Sequence, residues 1–225
     1  MSSNKTYRLS DSKVTDFIHV IRSKTVGLPE PVSFKLIERY GRDPFLILVA
    51  CMLSLRTRDS VTWAASVRLF EQAKTPQELL KLTPYDLETL LFPVGFYRQK
   101  AFQLQKLSLI LLQKYQGLVP ENKQKLLALP GVGLKTANLV LGLAFGIPAL
   151  CVDTHVHRLA NKWGLVCTKT PEETERALTI LISDIYWIEL NKLLVIWGQC
   201  ICTSRSRCSR EQLCAACLSV VSSLR

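Results

Sequence analysis

The chain has too few acidic residues to balance its basic ones: 18 Asp and Glu stand against 29 Lys and Arg, a formal charge of +11. That shortage favours polyanionic partners such as nucleic acid or anionic lipid and leaves the fold open. Long uncharged runs are also missing. The longest, Thr136 to Val152, is interrupted by Asn138, Gly142, Gly146 and Pro148 and falls short of the ~20 apolar residues of a membrane span. The opening stretch, "MSSNKTYRLSDSKVTDF", carries neither an apolar core nor a cleavage site, which speaks against a secretion signal. We therefore expect no membrane partner, a monomer that is not secreted and, if the source is prokaryotic, a cytoplasmic, nucleoid-associated location. Strand signals are scarce, and there is no long internal repeat or low-complexity segment.

What is present is enough for a core. A chain of 225 residues with 48% hydrophobic and 21% charged side chains makes one large or two small globular domains. Helical periods dominate. "DPFLILVACMLSLRT" starts with Asp43 as a cap and Pro44 in the first turn. It is apolar on nearly every face, as a central helix should be. "RDSVTWAASVRLFEQA" offers Asp59 or Ser60 as a cap, and two Thr-Pro pairs open "TPQELLKL" and "TPYDLETLLF". "GFYRQKAFQLQKLSLILLQKYQG" reads as a long amphipathic helix closed by Gly117, and "TPEETERALTILI" and "YWIELNKLLVIWGQ" as helices near the end. The expected class is all-α. Trp63, Trp163, Trp187 and Trp197 sit among apolar neighbours and read as core.

The expected compartment is reducing, which speaks against a disulfide framework among the eight cysteines, and their placement is uneven. Cys51, Cys151 and Cys167 are scattered, whereas Cys200, Cys202, Cys208, Cys214 and Cys217 crowd the end. Such a cluster suggests a metal centre. His155 and His157 form a weaker metal signal, and no nearby carboxylate completes a ligand set, so packing is the preferred reading.

Between Leu129 and Thr154 only two charged side chains occur, Lys135 and Asp153. The segment 121–145 reads as two helices joined by Pro130-Gly131-Val132-Gly133. Glycines on both sides of Val132 allow positive φ and close approach to the backbone. Amides at the start of the second helix form a ready site for a phosphate oxygen, although such a turn can also be a plain helix corner. Lys135 falls in the first turn, where the helix field disfavours a cation. It is placed either to contact phosphate or, deprotonated, to act as a nucleophile. Asp153 can be an ordinary helix cap or a functional carboxylate. The break at Gly146-Ile147-Pro148 would be needed to bring the two together.

"LPGVGLKTAN" followed by "VDTHVHR" closely resembles endonuclease III, of the helix-hairpin-helix DNA glycosylases. The likeness runs from "DPFLILVACMLSLRTRD" through "VGFYRQKA" to the cysteine-rich tail. It implies two all-α lobes, a six-helix barrel over 34–147 containing the hairpin, and a second lobe from 1–33 and 148–225 with a cluster loop at 200–217. It implies a base excision repair N-glycosylase and abasic-site lyase that acts on oxidised pyrimidines in double-stranded DNA. Lys135 matches the lysine that attacks C1′ and forms a Schiff base, with β-elimination of the 3′ phosphate. Asp153 matches the assisting aspartate. Gly131, Val132, Gly133 and Thr136 fall on the DNA-binding hairpin. Arg56 stands where the family commonly has a Gln that enters the gap left by the flipped nucleotide; a surface arginine on phosphate is the other reading. Phe96 falls at the apolar wedge, or else in the core.

The resemblance also implies a 4Fe-4S cluster. The family's loop reads C-x6-C-x2-C-x5-C. Here Cys202, Cys208, Cys214 and Cys217 read C-x5-C-x5-C-x2-C with Cys200 as a spare, so zinc or no metal at all stays open beside the cluster. Arg205, Arg207 and Arg210 in that loop are expected to meet phosphates. A non-catalytic DNA-binding module and a glycosylase without lyase activity are the alternatives. The lysine at 135 argues against both.

Overall fold

The structure is a computed structural model that describes residues 8–203 and 213–223. The described residues contain thirteen α-helices and no strand. They divide into two units, Pro31–Ile147 and Met1–Glu30 with Pro148–Arg225.

The first unit holds α2 (Val32–Tyr40), α3 (Pro44–Ser54), α4 (Asp59–Gln72), α5 (Pro76–Lys81), α6 (Pro84–Leu91), α7 (Tyr97–Tyr115), α8 (Lys123–Leu127) and α9 (Leu134–Phe145). These are eight helical segments, α5 and α8 being the shortest. The centre is α3, in which every residue from Phe45 to Leu53 is buried. Its side chains pack on α2, α4, α7 and α9, so an all-round apolar sequence is what this position requires. Asp43 starts it by accepting the amide of Leu46 at 2.9 Å. The two Thr-Pro starts both close capping boxes, Thr75 with Glu78 and Thr83 with Asp86.

One start differs from the sequence reading. Arg58, not Asp59 or Ser60, is the N-cap residue of α4, and no side chain caps it. Asp59 lies in the first turn and accepts the backbone amide of Val32 at 3.1 Å. The carboxylate thus ties α2 to α4 instead of closing its own helix. At the far end, α7 stops one residue earlier than expected, with Gln116 left-handed at φ 55°.

The second unit holds α1 (Asp11–Thr25), α10 (Thr154–Lys162), α11 (Pro171–Leu181), α12 (Trp187–Cys200), preceded by a 3₁₀ turn at Asp184–Tyr186, and α13 (Ala215–Ser222). Its core gathers Phe17, Trp163 and Trp197 with aliphatic residues of α1, α10 and α12. Phe17 meets Trp163 edge-on at 5.9 Å, and Trp163 meets Trp197 edge-on at 5.6 Å. Trp163 and Trp197 are therefore core, as expected. Trp63 and Trp187 are only half-buried. No helix of the described residues is long and apolar enough to cross a membrane.

Candidate active site

The hairpin is built mostly from backbone. After α8 the chain turns through Leu129, Pro130, Gly131, Val132 and Gly133 into α9, with the Val132 amide donating to the carbonyl of Leu129 at 3.2 Å. Gly131 has φ 77°, a conformation that favours glycine; a Cβ there would also lie 2.8–2.9 Å from the side-chain ends of Gln103 and Met52, which would have to shift. Gly133 differs from the expectation of positive φ. It is extended at φ −97° and stands as the N-cap of α9, with no side-chain cap. A Cβ on it would meet nothing within 4 Å. This second glycine keeps an outer surface bare where the first amides of α9 emerge. Val132 is buried at 7% exposure and anchors the turn. Thr136, expected among the DNA-contacting residues, is only 1% exposed. As the third residue of α9 it turns toward the core with Ala137, so its side chain does not line the hairpin surface.

Lys135 is the second residue of α9 and half-buried. Helix α9 packs on α3, which brings the lysine into electrostatic range of Cys51. Burial pushes the Cys51 thiol up to about 12, and the neighbouring Lys135 charge pulls it the other way. The buried face of α9 carries Ala137, Val140 and Leu141. The lysine stands in the first turn of α9, at the positive end of the helix and beside α3.

Asp153 is the N-cap of α10. Its Oδ1 accepts the amides of His155 at 2.9 Å and Val156 at 3.0 Å. The capping reading is thus met, and it leaves a fixed carboxylate at a helix mouth. Asn191, buried on α12, donates to the carbonyl of Cys151 just before it. His157 does not read as a ligand. Its Nδ1 shares a hydrogen with Thr174 Oγ1 at 2.7 Å, in a network with Asn161 and Thr168. No group of His, Cys, Asp or Glu among the described residues is arranged to hold a metal ion.

Arg56 and Phe96 meet. Both are exposed and both are left-handed, at φ 53° and 58°, a conformation that costs a non-glycine residue about 1–2 kcal/mol. The Arg56 guanidinium lies 5.7 Å from the centre of the Phe96 ring. At 58% exposure Phe96 is not a core residue. A Cβ on Gly95 would lie 2.6 Å from the Arg56 carbonyl oxygen, so the two turns touch backbone to backbone.

Sequence reasoning missed the group beneath them. Lys100 is buried at 6% exposure, and its Nζ donates to the carbonyls of Leu53 (2.9 Å) and Leu55 (2.6 Å) and to Thr57 Oγ1 (3.2 Å). Burial lowers its pKa to about 8. A signal existed, because Lys100 shares the buried stripe of α7 with Leu104, Leu107 and Leu111, where a lysine is out of pattern.

Of the expected metal ligands, Cys208 lies outside the described residues, as do Arg205, Arg207 and Arg210. Cys202 and Cys217 are fully buried and Cys214 is exposed. Around them stand donors. Lys162 Nζ is 3.2 Å and Arg158 Nη1 3.6 Å from Cys202 Sγ. The buried indole N–H groups of Trp163 and Trp197 face Cys217 without closing a hydrogen bond. Cys202 beside two cations and Cys217 facing two indole N–H groups suit an anionic thiolate-bound centre.

The fold and hairpin define the class. Residues 49–183 match the HhH-GPD superfamily base excision DNA repair proteins. An endonuclease III of Thermotoga maritima is 46% identical over 187 residues, covering 81% of this chain and 88% of that protein. The structure of a non-covalent endonuclease III–DNA complex superposes with a TM-score of 0.78 at 31% identity, covering 93% of this chain and 97% of that one. A trapped endonuclease III–DNA covalent intermediate, an estranged-adenine complex, gives the same TM-score at 30% identity, covering 93% and 98%. The chain belongs to the endonuclease III family, as a base excision repair DNA glycosylase with lyase activity.

Proposed function

We propose that Lys135 is the nucleophile in a reaction that removes oxidised pyrimidines from double-stranded DNA and then cuts the strand. The observation that carries this reading is the position of Lys135: second in α9, two residues after the bare glycine of the hairpin, and half-buried beside α3. Phosphate binding by such a hairpin needs only backbone amides, so a lysine here has other work. Deprotonated, its Nζ attacks C1′ of the extruded nucleotide, and the glycosidic bond breaks with its electron pair leaving on the base. Opening of the sugar gives an iminium. Loss of a C2′ proton then drives out the 3′ phosphate, and water releases the lysine. Asp153, held by two backbone amides, stabilises positive charge on the sugar or relays the proton. Gly131, Val132 and Gly133 supply the backbone that receives phosphate. Arg56 and Phe96 fill the gap left in the duplex. An oxidised pyrimidine that stacks poorly costs less to extrude, so part of the selectivity resides in the DNA. The work lies wherever the chromosome is, which in a prokaryotic cell is the cytoplasm.

Cys202, Cys208, Cys214 and Cys217 would hold a 4Fe-4S cluster, which when bound closes the C-terminal loop and takes no part in the bond changes. Visible absorbance and iron content of protein purified without oxygen test this point. A colourless, iron-free protein that is folded and active contradicts it.

The functional reading is tested on a duplex with a single thymine glycol. The expected products are the free base and a strand cut 3′ to the site, with both lost in Lys135→Ala. Base release with an intact strand would favour a glycosylase without lyase chemistry.

A further inference from the structure

The Lys100 ammonium has three hydrogens, and all three are spent on the turn that carries Arg56: on the carbonyls of Leu53 and Leu55 and on the hydroxyl of Thr57. Leu53 and Leu55 end α3, where carbonyls are left over and a cation is welcome. The same Thr57 hydroxyl oxygen accepts the amide of Gly95 at 3.1 Å, and the Lys100 amide donates to the carbonyl of Phe96 at 3.0 Å. Arg56 is flanked on both sides by residues that Lys100 holds, while Phe96 stands one turn before Lys100 on the chain. One buried cation therefore joins two turns whose exposed residues are both left-handed. Neither conformation would persist unless its surroundings over-determined it.

We infer that Lys100 is a positioning residue, which locks Arg56 and Phe96 into one preformed plug and so sets how well the enzyme reads the base opposite the lesion. The inference rests on the proposed gap-filling role of Arg56 and Phe96. Without the latch, both residues fall back to ordinary backbone conformations. The guanidinium then leaves the ring, and the plug must be ordered at the moment of insertion. Arginine cannot substitute for Lys100, because its planar fork does not direct three donors from one atom. Thr57 is the second half of the latch, since its hydroxyl is the only one of the three acceptors that a side-chain change can remove.

The test uses a duplex with a tetrahydrofuran abasic analogue and 2-aminopurine opposite it, so that fluorescence reports entry into the gap. Excision of thymine glycol opposite A and opposite G is measured beside it. Lys100→Met and Thr57→Val are each expected to cut the fluorescence change and the opposite-base ratio by about fivefold or more, with binding to undamaged duplex little changed. Lys100→Arg is expected not to rescue. In an Arg56→Ala/Phe96→Ala background, adding Lys100→Met should change nothing further. Thr57→Val carries the test if Lys100→Met does not fold. Wild-type fluorescence and base ratio in folded Lys100→Met or Thr57→Val overturn the inference, as does a full additional effect in the Arg56→Ala/Phe96→Ala background. Wild-type behaviour of Arg56→Ala/Phe96→Ala itself overturns the gap-filling reading beneath it.

Discussion

Two lysines of the Pro31–Ile147 unit occupy opposite kinds of helix end. Lys100 lies buried under the C-terminus of α3, where leftover carbonyls and the negative end of the dipole receive a cation, and its three donors are all used. Lys135 lies at the N-terminus of α9, half-buried, where the field opposes a cation. Every donor hydrogen of Lys100 is committed to the fold, whereas Lys135 is the lysine we propose for the chemistry. The regions around them differ too: the hairpin presents backbone made bare by Gly133, whereas Arg56 and Phe96 present exposed side chains on left-handed backbone.

The contrast can be broken most decisively at Lys135. Lys135→Ala should lower base release and strand cutting by at least about 10³-fold while leaving affinity for undamaged duplex within about twofold. A variant that binds normally and still turns over would show that the misplaced lysine is not the nucleophile. The glycines give the next largest effect. Gly131→Ala combines positive φ with contacts of 2.8–2.9 Å and should cost about 1–3 kcal/mol in urea unfolding. Gly133→Ala meets open space and should leave stability within about 0.5 kcal/mol but weaken DNA binding, as measured by fluorescence anisotropy. Equal stability losses would mean that Gly133 serves the fold.

A smaller effect is a pH dependence at Lys100. Burial lowers the Lys100 pKa to about 8 from 10.5. Between those values the unfolded chain holds a proton that the folded protein has released, so stability linked to this group rises with pH across the window. Urea unfolding of wild type relative to Lys100→Met should show an upward slope from about pH 8 to 10.5. A flat or falling difference would contradict a buried, desolvated ammonium.

Much of the frame was readable from local signals. The apolar faces of α3, the Thr-Pro capping boxes and the proline-glycine hairpin follow from patterns within a few residues. What sequence could not show depends on distant partners. Asp59 resembles a cap until Val32 takes its carboxylate. Thr136 looks like a hairpin residue until helical phase turns it inward. Lys100 finds its acceptors 43 to 47 residues away along the chain, a pairing that no motif announces. Lys135 and Asp153 stood out because nothing else nearby is charged, but their roles came from family likeness. The exchanged cysteine spacing marked the tail as unusual without assigning its ligands.

The most direct test is borohydride trapping on a duplex with one abasic site, followed by mass mapping of the adduct. The account predicts a covalent protein–DNA species joined through Lys135 and absent from Lys135→Ala. A folded, DNA-binding wild type that cuts the strand yet traps nothing, or traps through another residue, would contradict it.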